Sequence, residues 1–364
     1  MASSEGWSDR MACDDCERCK ALGYKFCIKC GEDFSETAEV PQHHIQGRLN
    51  PNSFDSLAKI GMAFFAVSIP ICIAIILIYF GDAAAYVWDK TVKIWLFLPV
   101  EVIITTVTGM EAQCFFAFLA AVAVSSLLVV LYESRQAFRD IGDYRYIERV
   151  KDTPLFGMGV VLASSIFLEL IITGLMILAG ESPEVPGELI DITMGEAVFI
   201  YTEAGVWEEI AFRMIPFGVP MVFAAAVLGR KDALRFIFGG FGISKLTVVL
   251  LVVTSLLFAF AHVSGWGPWK MLSIMPGALM LGYLFAKYGL HVSITAHILN
   301  DFIAGMWSTQ FGLLGGVGVL LLLVVGLLTL PTLLTKFGYG VKHIRELPGT
   351  GIERDQDSSD SSSD

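Results

Sequence analysis

Long apolar runs, broken at intervals by short polar segments, dominate the chain. Residues 57–80, 112–132 and 154–180 form three of them. A fourth starts near 194 and passes into a broken region; 246–262, 272–288, 290–307 and 312–334 complete the set. Each is near the ~20 residues that a helix needs to cross a bilayer. The pattern predicts an all-α polytopic membrane protein of about eight transmembrane helices. Residues 94–107, "IWLFLPVEVIITTV", are apolar but interrupted by Pro99 and Glu101, and are expected to be interfacial or re-entrant. Pro216 and Pro220 are expected to break the stretch 194–229, which is too long for one straight helix and short for two.

Composition agrees. Of 364 residues, 55% are hydrophobic and 17% charged, against about 25% charged in soluble domains. The formal net charge of −11 matters less than where it falls. The end, "ERDQDSSDSSSD", has nothing apolar to bury and is expected to be a solvated, disordered tail. Such an acidic, serine-rich end argues against nucleic acid as a partner.

Loop charges give an orientation. The loop 133–153 carries Arg135, Arg139, Arg145, Arg149 and Lys151, whereas 181–193 carries four acids and no base. The positive-inside rule places both termini and loop 133–153 in the cytoplasm and 181–193 outside. Four segments result: a small N-terminal unit with its linker at 1–50, membrane helices and a basic loop at 51–153, a polar-bearing membrane domain at 154–340, and the acidic tail at 341–364.

The first 50 residues are polar and contain no secretory signal. They hold five of the seven cysteines, in "CDDCERCKALGYKFCIKCGEDF". Cys27 and Cys30 form one C-x2-C knuckle, with Gly31 allowing its tight turn. Cys16 and Cys19 form the other, with Cys13 the alternative ligand. Four thiolates so paired suit a structural zinc, and the segment resembles a zinc ribbon that folds on its metal. Its expected job is docking a protein partner or regulation. The remaining cysteines, Cys72 and Cys114, lie in apolar runs and read as packing residues.

Against this apolar background, "VWEEIAFRMIPF" at 206–217 is anomalous. Unpaired charge at the bilayer centre costs several kcal/mol. Glu209 and Arg213, four residues apart on a helix, can neutralise each other. Glu208 is turned about 100° away from Glu209 and has no local partner. It must face protein, water or metal. "FAFAHVSG" then places His262 one turn after Phe258, and "ITAHILNDF" places Asp301 one turn after His297. Three apolar helices thus each carry a turn of polar groups. Carboxylate and imidazole converging in a bundle core can build a catalytic or metal site. Glu169 and Glu203 are further intramembrane acids, expected either to support the site residues from behind or to line the cavity; His291 and His343 lie at helix ends and receive no role. One difficulty follows from a simple alternation of spans, which would set His262 near the outer end, far from Glu208.

Glu208-Glu209-x3-Arg213, Phe258-x3-His262 and His297-x3-Asp301, in this order, resemble the motifs of the CPBP family, the CAAX-processing and bacteriocin-processing intramembrane endopeptidases (also called Abi or type II CAAX prenyl endopeptidases). The likeness spans roughly 150–310, and "LMLGYLFAKYGLHVSITAHILND" strengthens it. It implies hydrolysis of a peptide bond in a membrane-associated substrate, either a prenylated CAAX protein or a leader peptide. By this resemblance Glu208 activates the water, His262 holds or deprotonates it, and His297 with Asp301 stabilises the oxyanion or completes a metal site. The candidate catalytic metal, zinc or another divalent ion, would sit on Glu208, His262 and His297. Glu209 and Arg213 match a structural salt bridge. The family usually has Asn where this chain has Asp301; a carboxylate donates no hydrogen bond unless protonated, which favours metal ligation or histidine orientation there. Asn300 is adjacent but turned about 100° away. The non-enzymatic alternative is a membrane scaffold or bacteriocin-immunity-type protein using the same residues to hold the bundle; a proton-relay transporter is disfavoured by the absence of an inverted repeat.

Overall fold

The computed structural model describes residues 51–97, 100–139, 150, 152–181, 186–306, 309–350 and 352. The chain divides into two units, Met1–Pro51 and Asn52–Asp364. The cysteine cluster, and with it the expected ribbon and zinc site, lies outside the described residues.

Helix α1 covers Pro51–Ile78 and is followed by α2, Phe80–Trp88. Two strands come next, β1 (Val92–Phe97) and β2 (Glu101–Val107), and then α3, Gly109–Glu133. Helix α4 spans Pro154–Leu178, with the Thr153 side chain accepting from the Phe156 amide and Pro154 at the first turn, where its missing N–H costs nothing. The α5 run is Met194–Val227, α6 is Lys245–Ala261, α7 Trp269–Tyr288, α8 Leu290–Gly305 and α9 Gly312–Lys342.

By length and composition, seven helices among the described residues could cross a membrane. The protein is an all-α, multi-pass integral membrane protein. The eighth expected span, 290–307, is α8. Its 16 residues fall short of the ~20 required, and most of them, Val292 to Leu299 with Phe302 and Ile303, are buried inside the bundle. The other helices show the reverse of a soluble protein's pattern. On α6, Val249, Val252, Val253, Leu256 and Phe260 form an exposed apolar face, while Thr247, Thr254 and Ser255 are buried. Lipid can solvate the first face but not the second set. Helices α4 and α9 pack together, and their Ser164 and Thr329 hydroxyls meet at 2.9 Å in the interior.

One expectation gains a structure here and one is corrected. In the stretch 94–107, expected to be interfacial or re-entrant, β1 and β2 pair antiparallel, with an irregularity between Ile94 and Trp95. Alternating β-branched and aromatic residues favour strand over helix. The prolines of 194–229 do not break that segment. It is one continuous helical run, with π winding at Ala204–Glu208 and Ile210–Gly218. Pro216 lies inside the π stretch, where the backbone ladder has already shifted to i→i−5, and Pro220 sits in the first turn of Val219–Val227.

The end of the chain differs too. Helix α9 reaches Lys342, and the Pro348 and Gly349 carbonyls accept from the Lys245 and Leu246 amides at 3.0 Å each. The segment assigned wholly to a tail from 341 therefore begins as a cap on α6, whose first amides have no partner within the helix.

Candidate active site

Helices α5 and α6 run antiparallel, joined through 228–244. Glu208 and His262 lie at similar distances along them from that connection, so they meet at one depth. This removes the difficulty that straight alternation raised. Gly205 brings the third helix in. A Cβ at this position would collide with Ile298 of α8, so only glycine lets the π-wound backbone approach closely enough for Glu208 and Glu209 to reach His297.

Glu208 Oε2 lies 3.8 Å from His262 Nε2 and 3.8 Å from His297 Nε2. Asp301 Oδ2 lies 3.5 Å from the same His297 nitrogen. The four residues expected to carry chemistry therefore converge. The partners of the two ring Nδ1 atoms fix their tautomers. His262 Nδ1 is 2.9 Å from the Phe258 carbonyl, which can only accept, so Nδ1 carries the proton. His297 Nδ1 is 2.8 Å from Glu209 Oε1 and is assigned as the donor on the same grounds. In their neutral forms both imidazoles then turn an Nε2 lone pair toward Glu208. Glu208 Oε2 is buried and has no hydrogen-bond partner. Carboxylate oxygens and two ring nitrogens, acceptors all, surround one space.

Glu209 does more than the clamp expected of it. It lies 3.6 Å from Arg213 Nε with both side chains fully buried, holds His297, and contacts the Ser293 hydroxyl. Ser293 Oγ also lies 3.1 Å from the Leu281 carbonyl. Arg213 donates to the Ala278 carbonyl at 3.2 Å and lies 4.3 Å from the centre of the Phe258 ring. Phe258 is the hub of this wall. Its ring centre is 4.6 Å from that of His262, 5.8 Å from that of His297 and 5.1 Å from that of Phe212. Asn300, expected to face elsewhere, donates from Nδ2 to Asp301 Oδ1 at 3.2 Å.

The residue types would suit a metal, since one carboxylate and two imidazoles form a zinc-type set. As the side chains stand, no three His, Cys, Asp or Glu among the described residues close tightly enough to hold an ion. The 3.8 Å separations of Glu208 from His262 and His297 exceed the ~3.4 Å edge of a tetrahedral zinc set by only a few tenths of an ångström, so small side-chain shifts would admit the metal expected there. The inward-facing acceptors also suit a water molecule, which can donate twice.

Some contributors escaped the sequence reading. Ser293 stands one turn before His297 on the same face, a spacing that could have flagged it. The hairpin gave no such signal: Trp207 Nε1, beside Glu208, donates to the Trp95 carbonyl at 2.8 Å, and Trp95 and Phe97 pack on Phe212.

Residues 192–303 match the family model described as type II CAAX prenyl endopeptidase Rce1-like. All three polar motifs fall inside the match, which supports a membrane endopeptidase of the CAAX-protease kind. No curated protein and no solved structure matched the chain.

Proposed function

We propose that the protein is an intramembrane endopeptidase that cleaves membrane-associated substrates with a glutamate-activated water. The observation that carries this reading is Glu208 Oε2, buried, unpartnered and facing two imidazole Nε2 atoms. A water lodged there gives one hydrogen to Glu208 and the other to His262 Nε2. Glu208 takes a proton as the water oxygen attacks the scissile carbonyl, and a C–O bond forms. His297, when doubly protonated, offers Nε2–H to the resulting oxyanion, with Glu209 and Asp301 countering its charge. Collapse breaks the C–N bond, and Glu208 returns its proton to the leaving amine. Asp301 thus positions His297 and is not itself the oxyanion donor.

The substrate class is a membrane-borne protein ending in a prenylated CAAX motif, or a leader peptide; the exposed apolar helices give it a lipid route to the site. The basic loop 133–153 and both termini are assigned to the cytoplasm, and the cysteine cluster is assigned a structural zinc and a docking role.

The test compares peptide termini, by mass spectrometry, in membranes from cells carrying wild type or Glu208→Gln. New C-termini that depend on wild type are expected. Identical termini, with both proteins inserted at equal levels, would favour a non-catalytic scaffold.

A further inference from the structure

Glu209 is held by Arg213, Ser293 and His297. Glu208 has no such clamp. Its Oε2 lacks a hydrogen-bond partner and stands 3.8 Å from each imidazole Nε2. Its backbone belongs to the π stretch Ala204–Glu208, a winding that is rare and frequent at functional sites. The direction of the Glu208 side chain therefore depends on what holds this turn from outside.

Gly205 and Val206 are buried, Gly205 against Ile298 of α8. Trp207 anchors another side of the turn. Its Nε1 donates to the Trp95 carbonyl at 2.8 Å, and its ring centre is 5.5 Å from that of Phe115 on α3. Trp207 and Glu208 are consecutive. An indole pinned at its N–H and its ring thus fixes the backbone from which the Glu208 carboxylate reaches the imidazoles.

The acceptor suits this task because it belongs to a strand. Carbonyls inside a helix are engaged in the helix's own ladder, whereas each strand of a two-stranded sheet keeps an outward row of them. β1 and β2 form such a sheet. The break in its register falls between Ile94 and Trp95; bulges are over-represented beside active sites, where they re-aim strand groups. The hairpin is braced on both catalytic helices. The Trp95 and Phe97 ring centres lie 5.8 and 5.6 Å from that of Phe212 on α5. The Phe97 ring centre also lies 6.3 Å from that of Phe260 on α6, two residues before His262.

We propose that Trp207 is a positioning residue for Glu208, and that the hairpin, through the Trp95 carbonyl and the Phe97 ring, is the strut that sets Glu208 against His262. This inference rests on the endopeptidase reading above. It assigns the hairpin to the rate of the chemical step and not to substrate binding.

The experiment gives the full-length protein a prenylated peptide ending in a CAAX motif. Trp207→Phe keeps a ring against Phe115 and loses the N–H. It is expected to lower kcat about tenfold, with KM within about twofold of wild type and Tm unchanged, because misplacing a reacting group slows the step without weakening binding. Phe97→Leu, which loosens the hairpin from α5 and α6, should show the same pattern. Since both act through one strut, the double variant should lose about tenfold and not the ~100-fold product. A wild-type kcat in Trp207→Phe overturns the proposal. So does a loss that falls on KM or Tm instead, or a double variant that loses the full product.

Hydrogen exchange separates this proposal from the endopeptidase reading. Amides of residues 204–209 should exchange about tenfold faster in Trp207→Phe, with those of α3 and α8 unchanged. If wild type cuts no peptide, faster exchange keeps Trp207 as the anchor of the turn and defeats only the endopeptidase reading. Unchanged exchange, with cleavage intact, removes the strut and leaves the endopeptidase standing.

Discussion

Glu209 Oε1 accepts from His297 Nδ1 at 2.8 Å, while Glu209 Oε2 faces Arg213 Nε at 3.6 Å with no solvent exposure on either. One carboxylate thus fixes a ring nitrogen and balances a buried guanidinium. Its neighbour, Glu208, has Oε2 buried without a hydrogen-bond partner. The two glutamates should therefore fail in different ways when altered.

Glu209→Gln leaves Arg213 buried with its charge uncompensated. Removing one partner of a buried pair costs about 3–5 kcal/mol. The expected outcome is a clear loss of thermal stability in detergent, alongside lost cleavage. Glu208→Gln removes no existing hydrogen bond from Oε2. It should melt at or above the wild-type temperature while losing at least ~100-fold in cleavage, as loss of a general base implies. Equal destabilisation by both substitutions would contradict this division of labour.

Phe258 joins Arg213, His262 and His297 through ring contacts. Phe258→Ala should cost about 3–5 kcal/mol. Phe258→Leu should keep much of the packing but lose the cation–π contact, worth up to ~2 kcal/mol where desolvated. Thermal melts of both variants check the ordering. A Phe258→Ala protein as stable as wild type would remove Phe258 from its place at the hub.

Asp301→Asn tests whether the carboxylate is needed as such. Asp301 Oδ2 is 3.5 Å from His297 Nε2, and Oδ1 already accepts from Asn300. An asparagine keeps the size and an acceptor and adds an N–H near the oxyanion. Cleavage within about tenfold of wild type is expected, with a larger loss for Asp301→Ala. Inactivity in Asp301→Asn equal to that of Glu208→Gln would make Asp301 a reacting group.

Chelation separates the two metals that the sequence suggests. Under the water-centred reading, cleavage by a Cys27→Ser, Cys30→Ser protein should persist after treatment with a strong zinc chelator, while elemental analysis of the untreated wild type should find zinc that these two substitutions remove. Activity lost to the chelator and restored by one added divalent ion would replace the water-centred reading with a metal-centred one.

The sequence by itself determined the bundle and the chemical cast. Unbroken apolar runs allow little except membrane helices, and Glu208, Glu209, Arg213, His262, His297 and Asp301 were visible because charge in such runs is costly and rarely idle. What tertiary structure decided was how they meet. Gly205 of α5 approaches Ile298 of α8 across 93 positions of sequence, and the π winding of α5 carries the chain past Pro216 without a break. The second duty of Glu209, the lone pairs turned inward by the Phe258 carbonyl, and the hairpin against Phe212 share one cause. Each depends on a partner from another element, and local periodicity carries no record of which distant groups will be brought together.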